Sequence, residues 1–579
     1  MNLELGHGES ISFVGESGCG KSMTALAIMG LLPEGIGRVA SGSIQFDGEE
    51  LTTASDRRLR EIRGNEISMI FQEPMTSLNP VYTVGEQIAE VLRAHEGLSK
   101  KAAWNQAIEL LDAVQIPNPK SRVEAYPFQM SGGQRQRVMI AIALACTPKI
   151  LIADEPTTAL DVTVQAQIFD LLRDLRKQTG TAIIMITHDM GAVAEMSERM
   201  IVMYAGRKAE EGPVDQVIAH ARHPYTHGLI SCVPHIMANL TEERHELTEV
   251  PNLSVRFGVR RKGGVFAKPT YLTAVDDISF TVRKGETLAI VGESGSGKTT
   301  AALAIARLVS GLTSGRVELE GRDILPLDRE DLKSMRQKVQ VIFQDPYSSL
   351  NPRKRAEDIV REPLDSLTDK SDAEKREIVD GLFEAVGLHP EQKRLFPHQF
   401  SGGQRQRIGI ARALSTQPEV IICDEPVSAL DVAVQAQILN LLRRLQAQFG
   451  LTYVFISHDL GVVQHMCDSV AVMYMGKIVE HADRLSLFNN PLHPYTAALL
   501  SAVPSVDPTL REQSRRILIP GDPPDPLDLP KGCRFASRCP IAEPHCRNNA
   551  PPLDSAGANH RVACHLVEGG ISPLTAIKP

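Results

Sequence analysis

The chain of 579 residues has one tryptophan, 4% aromatic residues and no apolar run near the roughly 20 residues that a bilayer-spanning helix needs. Its first residues, MNLELGHGES, have neither the basic nor the apolar stretch of a secretory signal. Neither sign of charge is in large excess, because 62 lysines and arginines face 70 aspartates and glutamates. These absences predict a soluble, cytosolic protein of several domains without a broad nucleic-acid-binding surface.

Cysteine is sparse along most of the chain and dense at its end. Five cysteines fall within the first 532 residues, and four fall within the last 47. A disulfide framework is not expected in a reducing compartment, so the terminal group needs another explanation.

Two long segments of the chain occur twice. FVGESGCGKSMTALAI at 13–28 returns as IVGESGSGKTTAALAI at 290–305, displaced by 277 residues. SGGQRQR at 131–137 returns at 401–407, displaced by 270 residues. A repeat of this length indicates two homologous domains whose insertions are confined to loops.

Each copy ends in a tail with the same tetrapeptide, HPYT, at 223–226 and at 493–496. After the second tail the composition shifts to a proline-rich loop and then to the cysteine-rich end. We therefore expect an α/β protein with a first domain over 1–240, a second over 250–504 and a small cysteine-rich appendage over 505–579.

A glycine-rich loop of the form G-x-x-x-x-G-K-[ST] lies between an apolar run and a helical pattern in both copies. Backbone N–H groups of such a loop turn toward phosphate oxygens, and the helix N-terminus adds its positive dipole end. We expect Lys21 and Lys298 to reach the β- and γ-phosphates, and Ser22 and Thr299 to ligate Mg²⁺. The predicted phosphate-binding residues are Gly15, Glu16, Ser17, Gly18, Cys19, Gly20, Lys21 and Ser22, and Gly292, Glu293, Ser294, Gly295, Ser296, Gly297, Lys298 and Thr299.

Two apolar runs, KILIADEP and EVIICDEP, end in pairs of carboxylates. The pattern is that of a buried parallel strand that delivers acids at its C-terminal end. Asp154 and Asp424 would hold Mg²⁺, directly or through water. Glu155 and Glu425 would polarise a water aimed at the γ-phosphate.

Histidines and glutamines recur beside these acids. AIIMITHD and TYVFISHD end in His188 and His458, whose neutral imidazoles could hydrogen-bond a γ-phosphate oxygen. A lone histidine after a strand is usually an ordinary polar loop residue, but its return at an offset of 270 favours a role at the site. Gln72 and Gln344 end short apolar runs and could meet Mg²⁺ or the water through their amide oxygens.

Each copy also has a serine-glycine-glycine-glutamine motif that opens a helix, with serine suited to the N-cap. The motif residues are Ser131, Gly132, Gly133 and Gln134, and Ser401, Gly402, Gly403 and Gln404. The complete set, in the same order twice, resembles the ATP-binding-cassette (ABC) ATPases over residues 1–504. The resemblance implies two tandem cassettes of the P-loop NTPase type, each with a mixed β core and a helical signature subdomain, that bind ATP and Mg²⁺ and hydrolyse ATP.

In that family the signature of one cassette faces the phosphate loop of the other. The resemblance therefore implies an intramolecular cassette pair with two catalytically complete sites. One site would combine Lys21 with Ser401, and the other would combine Lys298 with Ser131.

Within the family, FQ[DE]PxxSLNP at 71–80 and 343–352, the HPYT tails and the RCP segment at 538–540 look like the oligopeptide/dipeptide importer group. That group also includes nickel, glutathione and antibacterial-peptide importers. The resemblance implies ATP-driven peptide import by a peripheral protein at the cytoplasmic face of the inner membrane. Its implied partners are two transmembrane permeases and, indirectly, an extracytoplasmic binding protein, with no nucleic acid.

Soluble tandem-cassette ATPases that act on ribosomes or DNA are the alternative. Such proteins would be expected to show basic arms or long charged helical insertions. Neither feature is evident in the sequence, and the HPYT tails favour the importers.

The first copy begins later in its domain than the second. When the phosphate loops are aligned, Leu3 lies opposite Phe280, inside a predicted strand. Upstream in the second copy, Tyr271 could stack on adenine as the family's aromatic residue does, although an exposed loop tyrosine gives the same pattern. Either the start lies upstream or the first site binds adenine without this platform; we expect a truncated start, because a missing strand exposes a sheet edge.

The terminal cysteines, Cys533, Cys539, Cys546 and Cys564, have the spacing C-x5-C-x6-C-x17-C. Four thiolates can hold Zn²⁺ or an iron–sulfur cluster, and this spacing does not choose between them. Reduced free thiols are the other interpretation. Similar segments in the peptide importers carry [4Fe–4S], so the resemblance implies that cluster, with Zn²⁺ as second choice, as a structural clamp.

Overall fold

The computed structural model describes residues 1–33, 35–72, 77–157, 160–231, 246–259, 270–428, 430–504, 516–517, 519–521, 523–557 and 559–567. Three predicted features fall partly outside these ranges. They are the boundary at 240–250, the loop after Gln72 and the start of the C-terminal segment.

The chain forms two compact units. One contains Met1–Val233 and Val503–Arg515, and the other contains Pro234–Ala502 and Arg516–Pro579. Each unit holds one copy of the repeat, and the C-terminal cysteines belong to the second. The domain bounds given above stay predictions.

The first unit is built on a six-stranded sheet in the order β4-β5-β6-β1-β7-β8, in which neighbours are parallel except for the antiparallel pair β7-β8. Beside it lies the short pair β2-β3. The strands are β1 (Ser10–Val14), β2 (Gln45–Phe46), β3 (Glu49–Glu50), β4 (Ile67–Ile70), β5 (Ile150–Asp154), β6 (Ala182–Ile186), β7 (Arg199–Tyr204) and β8 (Arg207–Pro213).

Helices cover this sheet, which is why β1 and β6 are buried along their whole length and read as continuous apolar runs. The α-helices are Lys21–Ile28, Asp56–Ile62, Val84–His95, Lys100–Ala113, Pro119–Arg122, Gly132–Leu144, Val162–Thr179, Met190–Met196, Val214–Ala219 and Pro224–Ser231, with a 3₁₀ turn at Pro127–Gln129. Parallel strands end at one edge of the sheet, and that edge carries the phosphate loop and the Asp-Glu pair.

The second unit repeats this sheet and adds to it. Its eight-stranded sheet has the order β15-β16-β17-β11-β18-β19-β21-β20, and a second sheet has the order β10-β9-β13-β14 with β12 paired to β9. The strands are β9 (Glu246–Val259), β10 (Thr270–Arg283), β11 (Thr287–Val291), β12 (Leu312–Ser314), β13 (Glu318–Leu319), β14 (Arg322–Asp323), β15 (Val339–Ile342), β16 (Val420–Asp424), β17 (Thr452–Ile456), β18 (Ser469–Tyr474), β19 (Lys477–Asp483), β20 (Asp554–Gly557) and β21 (His560–Val562).

The helices of the second unit follow the same plan. They are Lys298–Ile305, Arg329–Lys338, Pro346–Ser349, Ala356–Leu367, Asp372–Ala385, Gly402–Leu414, Val432–Phe449, Leu460–Met466, Arg484–Asn489, Pro494–Ser501 and Pro544–Asn548, with 3₁₀ turns at Pro390–Arg394 and Pro397–Gln399. Among the helices described here, none is long and apolar enough to cross a membrane.

The C-terminal segment, expected as an appendage, continues the main sheet of the second unit. Strand β21 pairs antiparallel with β19, and the buried His560 Nε2 lies 2.7 Å from Glu480 Oε1. A free edge of β19 would leave backbone N–H and C=O groups unpaired, and β21 satisfies them. Pairing between strands this far apart in the chain depends on the folded sheet, so local sequence patterns do not predict it.

The antiparallel part differs most between the units. The second unit has the long strands β9 and β10, whose buried side chains pack with the helix Lys298–Ile305. In the described part of the first unit this part consists of β2 and β3, while Leu3 and Leu5 pack against the buried core around Phe13.

Candidate nucleotide-binding sites

Both phosphate loops end in a helix that begins at the predicted lysine. Lys298 Nζ donates to the carbonyl oxygens of Gly292 at 2.7 Å and Glu293 at 3.0 Å. Lys21 Nζ donates to Gly15 O and Glu16 O at the same two distances. The loop thus curls around its own lysine in both units.

The first glycine of each loop allows a close approach that no other residue could make. Gly15 has φ 152° and Gly292 has φ 149°. A Cβ atom on Gly292 would lie 2.1 Å from Met473 O, and one on Gly15 would lie 2.3 Å from Met203 O. These glycines therefore seat the loops against β18 and β7.

An acid from the neighbouring strand meets the hydroxyl of each loop. Thr299 Oγ1 donates to Asp424 Oδ1 at 3.0 Å, and Ser22 Oγ donates to Asp154 Oδ1 at 3.1 Å. Burial raises the pKa of both aspartates above its ordinary value. A hydroxyl and a partly buried carboxylate are hard oxygen donors that suit Mg²⁺, so these pairs fit the cation expected with a nucleotide.

The second acid of each pair lies within hydrogen-bond distance of the predicted glutamine and histidine. In the second unit Gln344 Nε2 donates to Glu425 Oε2 at 2.8 Å, and His458 Nδ1 lies 3.1 Å from the same oxygen. In the first unit Gln72 Nε2 donates to Glu155 Oε2 at 2.9 Å, and His188 Nδ1 lies 3.3 Å from Glu155 Oε1.

Each glutamate occupies a strained backbone conformation. The φ angle is 47° at Glu155 and 45° at Glu425, in the left-handed region that side chains with a Cβ rarely adopt. The strain costs on the order of 1–3 kcal/mol, and the backbone N–H bonds from Glu155 to Ile186 O and from Glu425 to Ile456 O help to hold it. Such strain is typical of functional positions.

Electrostatics link the acid and the histidine. Burial would raise the pKa of Glu425, but the hydrogen bond and charge of His458 and the charge of Lys298 outweigh it, so the pKa is lowered. For His188 burial alone would lower the pKa. The hydrogen bond and the negative charge of Glu155 outweigh burial, so the pKa of His188 is raised. Glu425 is therefore ionised at neutral pH, the state in which its carboxylate can accept a proton.

The two signature motifs form reciprocal caps at the start of the helices Gly132–Leu144 and Gly402–Leu414. Ser131 Oγ accepts from Gln134 N while Gln134 Oε1 accepts from Ser131 N, and Ser401 and Gln404 do the same. A Cβ on Gly403 would lie 2.4 Å from Val434 Cγ1, so the glycine allows tight helix packing.

Tyr271 lies on β10 with 45% of its surface exposed, and its stacking role stays a prediction. The four terminal thiols line one cavity of about 20 Å³ together with Phe535 and His565. Burial raises the pKa of Cys539 and of Cys564 to about 11. In the part of the chain that the structure describes, no group of three or more His, Cys, Asp or Glu is placed to hold a metal ion, so the expected cluster is not found as a formed site.

Three residues of the phosphate-loop surroundings were missed by the sequence analysis. The HPYT tyrosines reach the loops, since Tyr225 Oη accepts from Glu16 N at 2.9 Å and Tyr495 Oη accepts from Glu293 N at 2.8 Å. Their repetition at the same offset was a signal for a shared role. Arg538 contacts Glu293 in the second unit, and no repeat pointed to it.

Comparison with known proteins gives the same assignment. A family model described as "ABC transporter" matches residues 1–158 and 275–428. A model described as "Oligopeptide/dipeptide transporter, C-terminal region" matches residues 209–267 and 479–546. Both families thus match each copy of the repeat, which confirms the resemblance drawn from the motifs and does not favour an ATPase of ribosomes or DNA.

Curated relatives match nearly the whole chain. The glutathione import ATP-binding protein of Pectobacterium atrosepticum is 44% identical over 604 residues, covering 98% of this chain and 94% of its own length. The protein of the same name from Shigella dysenteriae is 46% identical over 564 residues, covering 91% and 90%. A solved dimeric ATP-binding cassette with ADP and phosphate aligns with 41% of this chain and 99% of its own, at 27% identity and a TM-score of 0.37.

The motifs, their duplicated geometry, the two family models and the curated relatives agree. This chain therefore belongs to the ABC transporter family, as an ATPase with two cassettes of the oligopeptide/dipeptide importer group.

Proposed function

We propose that this chain hydrolyses ATP to drive the import of glutathione or a peptide of similar size. The observation that carries the proposal is the acid, histidine and glutamine cluster found beside a phosphate loop in both units. Support for the cargo comes from relatives named for glutathione import that match at least 90% of this chain.

In each site the lysine and the loop N–H groups would bind the phosphates, and the hydroxyl–aspartate pair would hold Mg²⁺, which would supply charge neutralisation when bound. Glu425, held ionised beside His458, accepts a proton from the attacking water, and Gln344 orients that carboxylate through its amide. Glu155, His188 and Gln72 do the same in the first unit.

The proposal includes cooperation between the two cassettes of one chain. The family resemblance assigns Ser401 to the site of Lys21 and Ser131 to the site of Lys298. Double-mutant cycles on ATP turnover test this assignment. We expect Lys21→Ala with Ser401→Ala to be non-additive and Lys21→Ala with Ser131→Ala to be additive. The reverse pattern would contradict the pairing.

We place the contact with a permease on a groove of about 440 Å³ in the first unit. Val81 and Tyr82, both exposed, line it, and in the sequence they follow soon after Gln72, whose neighbouring loop the family resemblance assigns to coupling with the permeases. Its other lining includes Trp104 and Tyr126. In this proposal the protein is peripheral at the cytoplasmic membrane face and works with two permeases and an extracytoplasmic binding protein.

We also propose that the terminal thiols hold a [4Fe–4S] cluster, or Zn²⁺ as second choice. Support comes from the cavity that all four thiols line. Support also comes from the backbone hydrogen bond that Cys533 N donates to Cys546 O at 2.8 Å, which brings these two cysteines together. Iron, sulfide and zinc analysis of anaerobically purified protein tests it. We expect Cys539→Ser to lose the metal and Cys146→Ser, a thiol outside the cavity, to keep it; metal-free parent protein would contradict the proposal.

Uptake by cells tests the function as a whole. Cells that lack their own glutathione importer ATPase but keep its permeases and binding protein would express this chain and be given labelled glutathione. We expect ATP-dependent uptake that is lost with Glu155→Gln and Glu425→Gln together. Uptake that survives this double change would contradict the mechanism, and uptake of dipeptides in place of glutathione would reassign the cargo.

A further inference from the structure

A side chain from the cysteine-rich segment contacts the phosphate loop of the second unit. Arg538 Nη1 donates to Glu293 Oε2 at 2.7 Å, and Nη2 donates to Glu293 Oε1 at 3.2 Å. Arg538 and Glu293 are separated by 245 residues in the chain. Arg538 is 4% exposed and Glu293 is 5% exposed, so this is a buried, two-pronged ion pair.

The pair sits in an aromatic setting that the segment itself completes. Arg538 Nη1 also reaches Tyr474 Oη at 3.3 Å. Phe535 packs against Tyr474 and Tyr495, with ring centroids 5.3 and 5.4 Å apart. Tyr495 in turn accepts the N–H of Glu293 at 2.8 Å.

Three groups of one loop residue are thereby fixed, one by the loop's own lysine and two by distant parts of the chain. Tyr495 holds the N–H of Glu293, Lys298 holds its carbonyl at 3.0 Å, and Arg538 holds its carboxylate. A loop residue tied at three points has little freedom to turn its peptide groups away from the direction in which phosphate oxygens would bind.

The first phosphate loop has two of these three contacts. Tyr225 accepts the N–H of Glu16, and Lys21 donates to its carbonyl. Among the described residues, no cation pairs with the Glu16 carboxylate, and Tyr204, at the position of Tyr474, is 51% exposed. The third contact therefore distinguishes the two loops.

We propose that Arg538 is a positioning residue for the second nucleotide site, through which the cysteine-rich segment sets the affinity of that site for ATP. The inference rests on the proposed nucleotide-binding role of both loops. Removal of Arg538 takes the two-pronged ion pair away from the buried Glu293 carboxylate, and the loss of such a pair drives local rearrangement. The loop moves with its glutamate, and phosphate binding weakens at this site alone.

Binding of a fluorescent ATP analogue in the full-length protein tests the proposal. The Lys21→Ala background reports the second site, and Lys298→Ala reports the first. We expect Arg538→Ala to raise Kd roughly tenfold at the second site, because part of the cost of breaking the buried ion pair falls on phosphate binding, and to leave the first within about twofold. The matched control is Arg561→Ala, because Arg561 is exposed on β21 and its Nη2 bonds Leu553 O away from the loop.

A pair of uncharged substitutions distinguishes the loss of the ion pair from unfolding of the C-terminal segment. Glu293→Gln and Arg538→Gln are each expected to weaken the second site, and the double variant to recover most of the affinity, because two amides can hydrogen-bond without a buried charge. Additive losses in the double variant, or equal losses at both sites, would overturn the proposal. If Lys21→Ala and Lys298→Ala themselves left binding unchanged, the nucleotide-binding role would fail instead.

Discussion

The phosphate loops at 15–22 and 292–299 share their glycine conformations and their lysine contacts, yet their surroundings differ. The second loop packs under Arg538 and against Ala274 of β10. In the described part of the first unit, no residue takes either place. The comparison teaches that a motif of eight residues carries its own chemistry, whereas the packing that stiffens it comes from distant parts of the chain.

The largest effects are expected where the two sites are alike. Glu155→Gln and Glu425→Gln each remove the proposed base, and turnover at the altered site should fall on the order of 100-fold. Phosphate release measured at saturating ATP should place the two single variants within about threefold of each other, with the double variant lowest. A Glu155→Gln protein that hydrolyses ATP like the parent would break the equivalence of the sites.

A stability difference is expected where the units diverge. Tyr474 is 1% exposed and packs on Tyr495 and Phe535, whereas Tyr204 is half exposed and packs on Tyr225. Tyr474→Ala should lower the free energy of unfolding of its unit by about 3–5 kcal/mol, and Tyr204→Ala by about 1 kcal/mol or less. Calorimetric unfolding measures both; equal losses would show that the C-terminal segment does not stabilise the second unit.

The glycines before the loop lysines give a smaller contrast. Gly20 and Gly297 have φ 103° and 102°, so alanine at either costs roughly 1–2 kcal/mol of backbone strain. A Cβ on Gly297 would also lie 2.3 Å from Ala274 O, while one on Gly20 would meet Met203 Cε at 3.6 Å. Thermal denaturation should therefore show a larger drop in Tm for Gly297→Ala than for Gly20→Ala. The opposite order would contradict the close contact between the second loop and β10.

The smallest effects should again be equal. Ser131→Ala and Ser401→Ala each remove one N-cap of matching geometry, and each should cost about 1 kcal/mol of stability. Denaturant midpoints, with Ser99→Ala as a capping control away from the signature, check this. Unequal losses would indicate that the signature helices are supported differently, as the phosphate loops are.

Sequence patterns predicted what local order can encode. The loop, the Asp-Glu pair, the glutamine and the histidine each end an apolar strand or begin a helix, so their positions follow from strand and helix signals. Because parallel strands end at one edge, the meeting of Glu425 with His458 and Gln344 was also within reach of the motifs.

Contacts between residues far apart in the chain could not be predicted from the sequence. No sequence pattern near Arg538 indicates Glu293 as its partner, and the pairing of β21 with the edge of β19 depends on a sheet already formed. The sequence therefore predicted a cysteine-rich C-terminal segment correctly, but it did not predict that this segment pairs with β19 of the second unit. The HPYT tyrosines were noticed as a family mark, but their bond to the loop N–H groups needs the fold.

The two phosphate loops have the same motif, but the second is fixed by more contacts than the first. Hydrogen exchange in nucleotide-free protein tests this difference most directly. Amides that open less often exchange more slowly. Peptides covering 292–299 should exchange more slowly than peptides covering 15–22, and Arg538→Ala should remove most of the difference. Equal exchange of the two loops in the parent protein would contradict the account.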